Sequence, residues 1–156
     1  MSRQKSLLLL LLAAALLTAA GCATAHPAPV PGASRVASVI AADDLDDKWG
    51  VEVVSLRSAA EGMMLDFRFR VLEPDKAAPL LAQRTSAYLV DPERNVKLTV
   101  PSTPKAGQLR NTIRVGLPRQ GAVYYVLFGN PNRVLVPGDK VNVVIGDFQA
   151  EDIVIQ

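Results

Sequence analysis

The stretch Met63–Leu72 constrains the fold more than any other part of the chain. Met63, Leu65, Phe67, Phe69 and Val71 occupy its odd positions, while Asp66, Arg68 and Arg70 occupy even ones. Successive side chains of an extended backbone point to opposite faces, so this alternation describes a strand with one dry face and one wet face. Met63 and Met64 are neighbours on it and point apart. Met63 is therefore expected in the core and Met64 partly in water.

Other strands gather around this one. Val51–Arg57 is rich in β-branched residues and is joined to it through Ser58–Gly62, which predicts a hairpin. Glu73–Arg84 carries two prolines and reads as a crossover with about one helical turn. Ala87–Val90 and Val96–Val100 flank the turn Asp91-Pro-Glu-Arg-Asn95. Pro101–Pro118 is the least regular segment, with a weak strand candidate at Thr112–Val115. Ala122–Phe128 is apolar on both faces, as expected of a central strand, and sets Tyr124 and Tyr125 on opposite sides. Pro137-Gly138-Asp139 predicts a type II turn, because proline fixes the first φ and glycine accepts the positive one. Val141, Val143 and Ile145 alternate after it, and a last strand runs through Ile153 and Ile155. Seven or eight short antiparallel strands predict an all-β sandwich over residues 49–156, immunoglobulin-like in the broad sense. The Cys-Trp-Cys core of true immunoglobulin domains is absent. The strings Gly62-Met-Met-Leu-Asp-Phe-Arg-Phe-Arg-Val71 and Val136-Pro-Gly-Asp-Lys-Val-Asn-Val-Val144 are similar to small, uncharacterised bacterial envelope proteins. That resemblance implies an architecture and no activity.

The amino-terminal residues read as an address. Arg3 and Lys5 precede an apolar run from Leu7 to Ala20, too short to cross a bilayer, with small residues at its end. The ending Ala19-Ala20-Gly21-Cys22 resembles the lipobox of bacterial lipoproteins. The resemblance implies a signal peptide over 1–21 and a diacylglyceryl thioether on Cys22, the residue that becomes the new amino terminus and is often acylated there too. Two acyl chains suffice for stable anchoring. Ala23 after the cysteine fits sorting to an outer membrane facing the periplasm. A rival A-x-A cut after Ala25 would instead release a soluble periplasmic or secreted chain beginning at His26. Cys22 is the only cysteine, so no intramolecular disulfide forms. Residues 22–48 read as a tether, Pro/Ala-rich to about Ser34 and then acidic, with a short helix over Arg35–Lys48.

Charge narrows the partner classes. Without Arg3 and Lys5, fifteen cations remain against fifteen acids, which argues against a nucleic-acid binder. The distribution is uneven. Asp43, Asp44, Asp46 and Asp47 cluster ahead of Trp49, whereas no acid occurs from Arg94 to Gly138. Lys97 and five further cations (Lys105, Arg110, Arg114, Arg119 and Arg133) fall between the strands of that stretch. They read either as solvated loop charges or as a basic face for an anionic lipid, an acidic glycan or an acidic envelope protein. Arg110, Arg114 and Arg119 are the foremost candidates, since they lie in the irregular segment. The Asp cluster is also a candidate to fold back onto this face.

The chemistry that remains is binding rather than catalysis. His26 is the only histidine and lies in the tether, so a serine nucleophile in the domain lacks its usual base. No glycine-rich phosphate loop occurs in it. Asp66, Glu73, Asp75 and Glu151 are available as a glycosidase pair, but surface charge accounts for them more simply. His26 with Met63 and Met64 suggests a copper site, which opposite-facing methionines cannot build. The expected function is a membrane-anchored, non-catalytic binding or assembly module without cofactor or metal. The alternatives are a periplasmic copper carrier or a small envelope hydrolase.

Overall fold

The computed structural model describes residues 42–156. The expected signal peptide and tether, with Cys22 and His26, and residues 35–41 of the expected helix lie outside the described residues. No helix among the described residues is long and apolar enough to cross a membrane.

Helix α1 spans Ala42–Trp49 and carries Lys48 in its last turn, where a cation meets the negative end of the helix dipole. Gly50 stops it with φ +60° and donates to the Asp46 carbonyl at 2.9 Å. That carbon has no room for a side chain. A Cβ there would stand 2.6 Å from the Glu73 Cβ, because the Gly50 carbonyl accepts from both Leu72 and Glu73. α1 is thereby pinned to the start of the crossover, and its Leu45 enters the core.

Strand β1 (Val51–Ala59) pairs antiparallel with β2 (Met64–Val71), from Val51↔Val71 to Ala59↔Met64. The hairpin predicted from the sequence is present. Its turn uses three consecutive positive-φ residues, Ala60, Glu61 and Gly62. Leu65, Phe67, Phe69 and Val71 are fully buried, while Arg68 is exposed and Asp66 and Arg70 are partly so. Arg70 reaches Glu52 directly across the register, and Arg68 reaches Asp66 two residues back on the same face. Met63 departs from expectation and is exposed. Its amide closes the turn onto the Ala60 carbonyl, so the strand and its alternation begin one residue later.

The crossover is helix α2, Pro74–Leu81, two turns rather than one. Pro74 opens it, where no amide partner is needed, and Ala77, Leu80 and Leu81 point into the core. Strands β3 (Ala87–Asp91) and β4 (Val96–Thr99) follow as a hairpin. Asp91 builds its turn by accepting from the Glu93 and Arg94 amides. β5 (Ser102–Thr103) and β6 (Gly107–Gln108) form a small ribbon. Thr112–Val115 is not a strand; only Ile113 makes a single bridge, to Ala82.

β7 (Val123–Gly129) pairs with β2, so the three-stranded sheet has the order β1-β2-β7 and β2 is its centre. The expectation of a central β7 fails. Val126 and Phe128 are buried, but Val123 and Tyr125 face water on the opposite side. Its outer edge is covered by Leu109–Asn111: Leu127 donates to the Leu109 carbonyl and Asn111 donates to the Tyr125 carbonyl. The outer edge of β1 is covered at Leu56–Ser58, by reciprocal backbone bonds between Gln156 and the pair Leu56 and Ser58.

After the expected turn, with Gly138 at φ +99°, β8 (Lys140–Ile145) and β9 (Phe148–Val154) complete a four-stranded sheet ordered β4-β3-β8-β9. Seven strands thus match the sequence reading, and the two ribbon strands bring the number to nine. The fold is mostly β, with antiparallel sheets. Both sheets and both helices contribute to one apolar cluster, in which Phe67, Phe69, Phe128 and Phe148 are the largest fully buried side chains.

Candidate functional site

The acid-free stretch does not converge into one face. Arg94 is bound bidentately by Asp139, with Nη1 and Nη2 at 2.6 and 2.9 Å from its two carboxylate oxygens. This guanidinium, together with the Val136 amide, holds the Asp139 carboxyl below its ordinary range. Lys97 sits 3.8 Å over the Tyr88 ring, a cation–π contact. Arg133 ends the short turn Pro131–Arg133 and lies 3.9 Å from Glu61, at the hairpin end of the sheet.

Arg110 corrects the sequence reading most sharply. It is 5% exposed and cannot be part of a wet face. Its Nη2 donates to the carbonyls of Ala82 at 2.7 Å and Leu80 at 3.4 Å, closing the carboxyl end of α2. Burial without a carboxylate pushes its pKa down. The reason for its position is the edge of β7. Leu109–Asn111 runs as a short antiparallel cover there, with Arg110 opposite Val126, and the side chain is turned inward onto α2.

The remaining cations divide between the two ends of the sheet. The ribbon that carries Lys105 is stitched by the Leu109 amide to Pro101, beside Gly129, where β7 ends. Arg114 and Arg119 belong to the opposite end, where β7 begins at Val123. Six residue steps of an extended strand separate those ends by roughly 20 Å, more than twice the Debye length of about 8 Å at physiological salt. Of the five candidates, Arg114 and Arg119 belong to one loop.

Between them lies what the sequence reading missed. Val115 is 92% exposed and Leu117 is 54% exposed. Both stems of this loop are fixed. On one side Ile113 donates to the Leu81 carbonyl at 2.8 Å. On the other, Pro118 is buried and the Arg119 amide donates to the Tyr124 hydroxyl at 2.9 Å. Tyr124 in turn stacks on Phe69 of the core, with ring centroids 6.1 Å apart. The signal available in the sequence was Arg114-Val-Gly-Leu-Pro-Arg119, whose apolar residues fit neither a strand nor a helix repeat. Arg84, also exposed, follows the Ala82–Ile113 bridge by two residues and adds a third cation near the first stem. Among the described residues no salt bridge reaches Arg84, Arg114 or Arg119.

A second concavity, of about 590 Å³, lies between α1 and the β8–β9 hairpin. Asp47, Lys48 and Trp49 line one side, and Asp147, Gln149 and Glu151 the other. Trp49 packs edge-on against Phe148, with ring centroids 6.0 Å apart, and Lys48 lies 5.4 Å from its own neighbour's ring. Asp47 therefore faces an acidic groove, and the side chains of Asp43 and Asp44 lie outside the described residues. Among the described residues, no group of three or more His, Cys, Asp or Glu side chains is placed to hold a metal ion. Against known proteins, the chain matches no family model, no curated protein and no solved structure, so the roles of these residues rest on their geometry.

Proposed function

We propose that this chain is an envelope lipoprotein, anchored through Cys22, whose domain is a non-catalytic binding or assembly module for an anionic partner. Its two sheets around one core are read as a β-sandwich, immunoglobulin-like in the broad sense. The observation that carries the binding role is the loop 114–119. Arginines that no salt bridge reaches among the described residues flank exposed apolar side chains there, on stems that are hydrogen-bonded in place. Apolar side chains presented with fixed geometry and surrounded by one sign of charge mark a contact surface.

Two measurements test the two halves of this reading. Cys22→Ala should release the protein from the membrane fraction or leave it as unprocessed precursor. An intact mass for the wild type matching an unmodified chain that starts at His26 overturns the anchor. Arg114→Gln with Arg119→Gln should weaken salt-sensitive binding to anionic surfaces, vesicles or acidic polysaccharides, by more than about tenfold, while the thermal midpoint stays unchanged. A wild-type protein that binds neither at low salt, where electrostatics are strongest, overturns the binding module.

A further inference from the structure

The composition of the loop tip selects among anionic partners. Gly116 has φ +84°, and no atom lies within 4 Å of the place where its Cβ would stand. The loop therefore faces open solvent at Gly116. Val115 and Leu117 stand on either side of this glycine, with Arg114 and Arg119 just outside them. Water around two exposed apolar side chains is released only when they enter an apolar phase. An acidic glycan offers carboxylates and hydroxyls and no such phase. A bilayer surface offers phosphates at the level of the arginines and acyl chains beneath.

We propose that loop 114–119 inserts shallowly into an anionic lipid surface. Val115 and Leu117 enter the headgroup–acyl boundary, and Arg114 and Arg119 stay at the phosphates, with Arg84 near the same plane. Apolar burial and attraction to anionic headgroups add in such interfacial contacts. The fixed stems mean that little conformational freedom is lost on docking. Two carboxylates near the loop base are already paired. Glu52 is paired with Arg70 at 2.6 Å and Glu73 with Lys76 at 2.7 Å. Twenty residues from Cys22 to Ala41 set an upper limit of about 70 Å on the distance from the proposed anchor to α1. This inference rests on the reading of the chain as a tethered binding module.

The test uses the mature chain, residues 22–156, with Cys22→Ser, so that no acyl chain contributes. It is titrated with phosphatidylcholine vesicles, with and without phosphatidylglycerol, and separately with a soluble acidic polysaccharide. Binding is expected to the anionic vesicles, falling as salt is added. Arg114→Gln with Arg119→Gln should weaken it about thirtyfold. Val115→Asp and Leu117→Asp should each remove most of it with both arginines in place, and their far-UV spectra and melting should match the wild type. Val115→Trp should gain a blue-shifted emission with anionic vesicles alone. Vesicle binding unchanged by Val115→Asp overturns insertion. Binding to the polysaccharide but not to vesicles overturns the lipid inference and leaves the binding module standing. So does a photo-crosslinker at position 115 that joins one protein in intact cells while vesicles are not bound. Binding to none of them overturns both.

Discussion

The guanidinium of Arg110 and the carbonyl of Ala82 meet at 2.7 Å inside the fold, joining the edge cover of β7 to the end of α2. A cation at the carboxyl end of a helix completes carbonyls that have no intrahelical donor and offsets the helix dipole. The same burial removes the guanidinium from water, and its Nε and Nη1 have no protein partner among the described residues.

These opposing effects separate two substitutions. Arg110→Ala removes the long stem as well as the cap, leaving a void and open carbonyls, and should lower stability by about 2–4 kcal/mol. Arg110→Met keeps most of the stem volume and removes the buried charge. It should lie within about 1 kcal/mol of the wild type. Urea denaturation measures both. Equal losses for Ala and Met would show that the hydrogen bonds to α2, and not packing, dominate at this position.

Asn130 is fully buried and ties three segments together. Its Nδ2 donates to the carbonyls of Gly62 and Leu135, each at 2.7 Å, and its Oδ1 accepts from the Leu135 amide at 3.1 Å. Asn130→Ala leaves buried polar atoms without partners at both the β1–β2 turn and the 131–135 turn. A loss of about 2–4 kcal/mol is expected. Asn130→Asp should be at least as damaging, since a carboxylate cannot donate to those two carbonyls. A shift in the denaturation midpoint of Asn130→Ala no larger than that of an exposed substitution such as Gln149→Ala would refute this role.

Asp139 predicts an acid limb in the stability profile. Its carboxyl titrates below the ordinary value of 3.8 because Arg94 and the Val136 amide favour the ionised form. A depressed folded value stabilises the protein above the unfolded value, and the contribution disappears as pH falls through the folded one. Melting temperature should therefore drop below about pH 4 more steeply in the wild type than in Asp139→Asn. Asp139→Asn should also be less stable at neutral pH. Arg94→Gln should raise the Asp139 titration toward its ordinary range, as followed by carboxyl NMR shifts.

The sheets were legible in the sequence wherever burial alternates. Leu65, Phe67 and Phe69 announce β2 because one face of that strand is dry and the other wet. Val141, Val143 and Ile145 do the same for β8. Partial exposure of an apolar strand was not legible. Tyr125 and Val123 look like core residues by type, but the core packs against the face of β7 that carries Tyr124, Val126 and Phe128, and leaves theirs to water. The candidate site was half legible. Charge counting found Arg114 and Arg119. It could not separate them from Arg110, because inward rotation depends on a long-range contact with α2. Val115 and Leu117 escaped because hydrophobic residue types suggest burial, whereas their exposure follows from how Ile113 and Arg119 are fixed on either side.

The covered edges of the three-stranded sheet bear on life at high surface density. Chains held on a membrane by lipid, as proposed here, meet one another in two dimensions at effective concentrations far above those in bulk. An open strand edge under such conditions is a template for sheet growth from one molecule to the next. Here Leu109–Asn111 occupies one flank of that sheet and Gln156 the Leu56–Ser58 part of the other, each with main-chain bonds that would otherwise be offered to a neighbour. Peeling either segment away would turn a population of separate neighbours into one prone to edge-to-edge assembly.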